Sequence, residues 1–307
     1  MEQLIIKQLN FSEIIQDIDV IICASGYESR ASFLADSLGT NAVKFKYVLS
    51  FKDQKDIPTR IKNDKIFRSH GYQFIENEKD NYDFIRTLLP LINNITKENS
   101  INILIDYSSM TRTWFAAIVN SFHHFTKNVK LIFSYSVAKF SEPNPSYSPS
   151  IKFDPIPGFN NLSIPDKPTA LIIGLGYEKD RAAGLIEYFD ADEVFAFVTD
   201  NLKYKPFLYA ANKTLLKQIK PDNIIPYPMN DIMFTYKILT NLCLDLASNY
   251  RIIITPSGPK PFSLLSFICG IQLRFIDIWR VSGINDPKKE NREPSGETIS
   301  FSLSKTF

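Results

Sequence analysis

Two short strings able to hold an anion or move a proton recur in this chain of 307 residues. Gly26, Tyr27, Glu28 and Arg30 stand in GYESR, directly behind the apolar run DVIICAS. Gly176, Tyr177, Glu178 and Arg181 stand in GYEKDR, directly behind ALIIGL. A glycine there permits a tight turn or a close backbone approach to a ligand. The tyrosine offers a ring and a hydroxyl, the glutamate a carboxylate for proton transfer, and the arginine a fork that grips phosphate. A second pair of polar strings follows. IDYSSMTR supplies Asp106, Ser108, Ser109, Thr111 and Arg112, and TPSGPK supplies Ser257, Gly258 and Lys260. Arg112 lies 86 positions after Gly26, and Lys260 lies 84 after Gly176. Hydroxyls, backbone N–H groups and a cation at a helix start suit a phosphate. Glu28 and Asp106, if they meet, would supply acid, base or electrostatic stabilisation.

Each residue also has a structural role open to it. The glycines can serve as turns, Ser108 or Ser109 as an N-cap, and the tyrosines as packing. Glu28 and Glu178 can complement a helix dipole, worth about 0.3–1 kcal/mol. Recurrence of both strings in both halves favours a ligand crevice.

The elements that must position these residues repeat as well. DVIICAS, VKFKYVLSF, YQFIE, NILID and VKLIFSYSV read as strands alternating with helical patterns. TALIIG, EVFAFVTD, NIIPYPM, RIIIT and FIDIWRVSG retrace that order. Same order and near-equal spacing indicate an internal duplication. Continuous apolar strands alternating with helices predict an α/β fold of two duplicated Rossmann-like three-layer units with mostly parallel sheets. The expected halves are 1–140 and 169–307. The Pro, Ser and Asn-rich stretch 141–168 reads as a linker or crossover, with Ile151, Phe153, Ile156 and Phe159 available to pack on a domain. Alternating TISFSLS near the C-terminus predicts an edge strand. In such sheets ligands bind at the carboxyl ends of the strands where strand order reverses, which is where all four strings fall.

Composition narrows the function classes. Net charge is +2, with 44% hydrophobic and 22% charged residues. That balance predicts no extended nucleic-acid surface, although a local basic cleft is compatible with it. Three cysteines, none in CxxC spacing, and three histidines point away from a metal site and toward buried thiols in a reducing compartment. No GxSxG, Walker loop or full GxGxxG is present, and no cofactor is expected. No membrane span or signal peptide is read from the sequence, so the expected location is cytoplasmic, with no membrane partner.

IDYSSMTRTWFAAIV resembles the fourth-strand motif of CARF domains, Rossmann-like sensors of cyclic oligonucleotides in CRISPR-linked immunity. Asp106, Ser108, Thr111 and Arg112 match that pattern, with Ser109 and Met110 in place of its Gly pair. Ser257, Gly258 and Lys260 match it loosely in the second half, without the acid. Two such halves in one chain are similar to the SAVED sensors of bacterial anti-phage systems. The resemblance implies a nucleotide-like ligand held between the halves and a separate effector protein. Two alternatives stay open at this point. One is a nucleotide-cleaving enzyme using Glu28 and Asp106, and the other is a scaffold subunit of a larger complex.

Overall fold

In the first part of the chain, β1 (Leu4–Leu9) and the short α1 (Phe11–Ile14) precede β2 (Val20–Ser25). A 3-10 turn at Ser29–Ser32 leads into α2 (Phe33–Ser37), β3 (Phe45–Phe51), α3 (Pro58–Ser69) and β4 (Gln73–Asn77). Then come α4 (Phe84–Asn93), β5 (Ile101–Asp106), α5 (Arg112–Asn120) and β6 (Val129–Ala138). The second part runs β7 (Ile151–Pro155), β8 (Thr169–Gly174), α6 (Ala183–Phe189), β9 (Glu193–Thr199), α7 (Lys205–Ala211) and α8 (Lys213–Gln218). It continues with β10 (Ile224–Tyr227), α9 (Ile232–Leu246), β11 (Arg251–Pro256), α10 (Lys260–Gln272) and β12 (Ile276–Gly283), before β13 (Pro294–Lys305). This computed structural model describes residues 4–14, 17–38, 43–53, 55–78, 81–95, 100–126, 128–142, 151–160, 166–177, 182–283 and 291–305.

The strands form two sheets, ordered β1-β13-β6-β5-β2-β3-β4 and β10-β9-β8-β11-β12-β7. Within them β4-β3-β2-β5-β6 and β10-β9-β8-β11-β12 follow the same order, and every neighbouring pair is parallel. The chain is α/β and contains two Rossmann-like units with one strand order. The apolar runs explain the middle of each sheet. VIICAS in β2 is buried at all six positions, as a strand covered on both faces must be. Helix starts follow local chemistry. Pro58 opens α3, where its missing N–H costs nothing, and the Thr111 and Asp231 side chains accept from Trp114 N and Phe234 N at the starts of α5 and α9. Among the described residues no helix is long and apolar enough to cross a membrane. Cys23, Cys243 and Cys269 are buried free thiols.

Four features differ from the sequence expectation. The second unit does not extend to residue 307, because the compact units are 1–139 with 289–307, and 140–288. β13 returns to the first sheet, where it lies between β1 and β6 and pairs antiparallel with both. It is therefore an interior strand, and the edge is β1, a strand not anticipated from LIIKQL. The reason is packing: Ile299, Phe301 and Leu303 are buried, and Phe301 stacks on Phe133 of β6 at 5.4 Å between ring centroids. The 141–168 stretch is not only a crossover, since β7 adds antiparallel to β12. Ile156 and Phe159 behind it are buried, as expected of a segment that packs on a domain. The single helix expected over FLYAANKTLLKQI is two helices, α7 and α8, interrupted at Asn212.

Phe301→Ala is expected to destabilise the first unit by about 3–5 kcal/mol, the usual cost of emptying a fully buried aromatic site. Urea unfolding checks this: Phe133→Ala must shift the same transition, since both rings belong to one core.

Candidate functional site

In each unit the two strand ends that carry the repeated strings are neighbours, β2 beside β5 and β8 beside β11, as the expected topology requires. In the first unit the turn after β2 is fixed from α3. Asn63 Nδ2 donates to Gly26 O at 2.9 Å and to Glu28 O at 2.8 Å, and Asn63 Oδ1 accepts from Ser32 Oγ at 3.0 Å. The Thr59 hydroxyl donates to Tyr27 O. Below this clamp Ser25 Oγ donates to Asp64 at 2.5 Å, while buried Arg60 bonds Asp64 at 2.8 Å and Ser50 Oγ at 2.7 Å. Gly26 is needed for space: a Cβ there would lie 3.2 Å from Ser109 Cβ. The turns after β2 and β5 thus touch directly.

Arg30 and Glu28 form a pair within this turn. Arg30 is only 4% exposed, and its Nε donates to Glu28 at 2.6 Å. Its Nη1 donates to Tyr135 Oη at 2.8 Å and Ser136 O at 3.1 Å. Burial opposes the guanidinium charge, but Tyr135 and Glu28 outweigh it, and the pKa of Arg30 is raised. Arg292 Nε adds a longer contact to Glu28 at 3.9 Å. Asp106 has its own donors. Ser108 N and Oγ donate to Asp106 Oδ1 at 3.0 and 2.5 Å, and Ser136 N donates to Ser108 Oγ at 2.7 Å. Both carboxylates considered as an acid–base pair are therefore engaged in organising turns. Thr111 caps α5, Arg112 is its first residue, and both are partly exposed. The Ser109 hydroxyl is buried, with no hydrogen-bond partner among the described residues. Burial pushes the Tyr107 phenol well above its ordinary range, reinforced by Tyr135 and Asp106.

The second unit repeats the clamp with different surroundings. Asn212 Nδ2 donates to Gly176 O at 2.8 Å and to Leu208 O at 2.9 Å. A Cβ on Gly258 would stand 2.8 Å from Leu175 O, so this turn also lies on its neighbour's backbone. Half-buried Tyr177 faces Tyr204 at 5.9 Å between centroids. Tyr204 packs edge-on against Phe140 at 5.1 Å, and Phe140 lies 5.9 Å from Phe207. Lys260 is the first residue of α10, with Pro261 behind it and Ser257 in the preceding turn. Glu178 and Arg181 lie outside the described residues. Among the described residues no three His, Cys, Asp or Glu side chains group as metal ligands.

Asn63 and Asn212 are the site residues that sequence reasoning overlooked. Their signal was spacing: they follow Gly26 and Gly176 by 37 and 36 positions. Tyr135, at the far end of β6, is the other, and its only signature is a tyrosine near a strand end.

Glu28→Ala is expected to cost about 3 kcal/mol, because it leaves a buried arginine charge without its carboxylate. The loss should sit at the low end for such pairs, since Tyr135 and Ser136 still bind Arg30; denaturant melts measure it. Gly258→Ala should cost about 1–3 kcal/mol, the range for overpacking against backbone. Gly26→Ala should cost less, because Ser109 is a side chain that can give way.

No family model matches the chain, and no curated protein matches it. Among solved structures, the cytoplasmic domain of a prokaryotic cation chloride cotransporter aligns over 86% of this chain and 95% of its own, at 8% identity and a TM-score of 0.26.

Proposed function

We propose that this protein is a binding module for a nucleotide-type phosphorylated ligand and acts as a sensor or regulatory subunit that serves a separate effector, in anti-phage defence. The observation that carries this reading is the carboxyl edge of the second sheet. There the ends of three adjacent strands, β9, β8 and β11, are followed by Tyr204, Tyr177 and Lys260. The partly exposed aromatic face of Tyr177, Tyr204, Phe207 and Phe140 suits a planar base. The first turn of α10 and Lys260 suit the phosphate. In the first unit Arg112 opens α5 in the corresponding place.

Binding is favoured over cleavage by the state of the two acids. Glu28 is ion-paired with Arg30 at 2.6 Å, and Asp106, which accepts from Ser108 through Oδ1, is only 2% exposed, so burial holds it out of reach of a ligand.

Calorimetry with mononucleotides and cyclic dinucleotides tests the proposal. The wild-type chain is expected to bind at least one of them and to return it chemically unchanged. Tyr177→Ala should weaken binding about 5–150-fold, the worth of one stacked base. Lys260→Ala should weaken it and flatten its salt dependence. Absence of binding across the panel, or affinity indifferent to both substitutions, would overturn the reading. Hydrolysis of the ligand would replace it with the enzymatic one.

A further inference from the structure

The first unit contains a pocket of about 440 Å³ on the α3 side of the GYESR turn. Its volume falls within the roughly 300–1,000 Å³ of small-molecule sites. Phe33, Ile66 and Pro294 supply apolar wall. The charged residues that line it are Asp36, Lys62, Lys139 and Glu293. Three of the four are paired. Asp36 contacts His70 at 3.3 Å, and Lys139 contacts Glu293 at 2.9 Å, an interaction that lowers the Glu293 pKa. The lining hydroxyls and amide are also spent, Ser29 on Asn291, Ser32 on Asn63 and Thr59 on Tyr27 O. The ammonium of Lys62 has no partner among the described residues, and it is the charge the pocket leaves over.

We infer that this pocket binds a small organic anion, with one carboxylate or phosphate on Lys62 and an apolar or ring body against Phe33, Ile66 and Pro294. A cation would meet acids that are already paired together with the like charge of Lys62, and a purely apolar guest would leave the Lys62 donor unused. The site is distinct from the strand-end helix starts at Arg112 and Lys260, and it stands or falls independently of the nucleotide reading.

Its position gives the occupant a mechanical consequence. The chain leaves the first unit after Lys139 and re-enters at Lys289. Lys139 N donates to Glu293 O at 2.8 Å, and Arg30 N donates to Arg292 O at 3.2 Å. Ser29 N and Oγ donate to Asn291 Oδ1 at 2.8 and 2.9 Å. The GYESR turn, the exit segment and the re-entry segment are thus bonded together along one rim of the pocket. An anion held there braces all three, and opening of the Arg30 and Lys139 amides to solvent becomes rarer.

Titration of the full chain with phenyl phosphate and, separately, benzoate tests the assignment, with calorimetry as readout and hydrogen exchange at Arg30 and Lys139 as a second one. Saturable one-site binding of at least one probe is expected, weakened at least about tenfold by Lys62→Met and slowing exchange at both amides. Phenyl phosphate binding alone identifies a phosphate site, and benzoate binding alone a carboxylate site. Lys62 is exposed on α3, so its replacement leaves the fold intact, and Ile66→Trp, which fills the pocket without removing charge, should also abolish binding. Arg112→Ala and Lys260→Ala should leave affinity unchanged. The inference is overturned if neither probe saturates, if binding survives Lys62→Met, or if it falls instead with Arg112→Ala.

Discussion

A parallel five-stranded core leaves its fifth strand with one row of backbone N–H and C=O groups unpaired, and covering that row organises this chain. In both units the cover is an antiparallel strand, β13 on β6 and β7 on β12. The sources differ. The second unit takes its cover from the segment just before its first core strand, whereas the first takes it from the C-terminus. The first unit is therefore completed by β13 from beyond the second unit, and residues 291–293 lie beside the GYESR turn. β1, a short outer strand with Lys7 and Gln8 exposed, then pairs with β13 and forms that end of the sheet.

The buried Arg30 charge converts this topology into rigidity. A guanidinium out of water is tolerated only when its donors are met, and here Glu28, Tyr135 Oη and Ser136 O meet them from the turn and from β6. Because Ser136 N also binds Ser108 Oγ, the β6 backbone connects the Arg30 network to the Asp106 turn. The strings that look catalytic in sequence thus form one hydrogen-bonded frame across β2, β5 and β6. Such a frame holds the geometry of the turns, with Glu28 and Asp106 Oδ1 both drawn into it.

The strand and helix order was legible because apolar runs and Gly or Pro punctuation report local structure directly. Partner choice was not. TISFSLS declares a strand with one apolar face, but nothing in seven residues says that the face belongs on Phe133 and not in the nearer sheet. LIIKQL is hidden for a related reason, since an edge strand has too few buried positions to stand out. At the site, the glycines and helix-opening cations fell where expected because strand ends are local events. Asn63 and Asn212 escaped notice because a helical asparagine means little until the carbonyls it serves are known. In the sequence Glu28 is open to roles as a helix-dipole partner or a base. Its pairing with Arg30 was not legible, because it depends on the 3-10 turn that brings Arg30 back onto it within two residues.

Comparing the two units separates what the fold demands from what it leaves free. The asparagine clamp on the first turn, the turn-on-turn contact at the switch point and the cation opening the fourth-strand helix occur in both. These belong to the shared architecture, since they hold the backbone where β2 meets β5 and β8 meets β11. The surroundings diverge. The first unit surrounds its turn with Arg30, Tyr135 and the re-entry segment, and the second surrounds its own with Tyr204 and Phe207. Asn212 makes its bond from the break between α7 and α8, whereas Asn63 makes its own from within the unbroken α3. A clamp that occurs in both helical settings marks the turn geometry as what the two units share. Whatever distinguishes the two units in recognition must then reside in the side chains around the turns, ionic and latched in one unit and aromatic in the other.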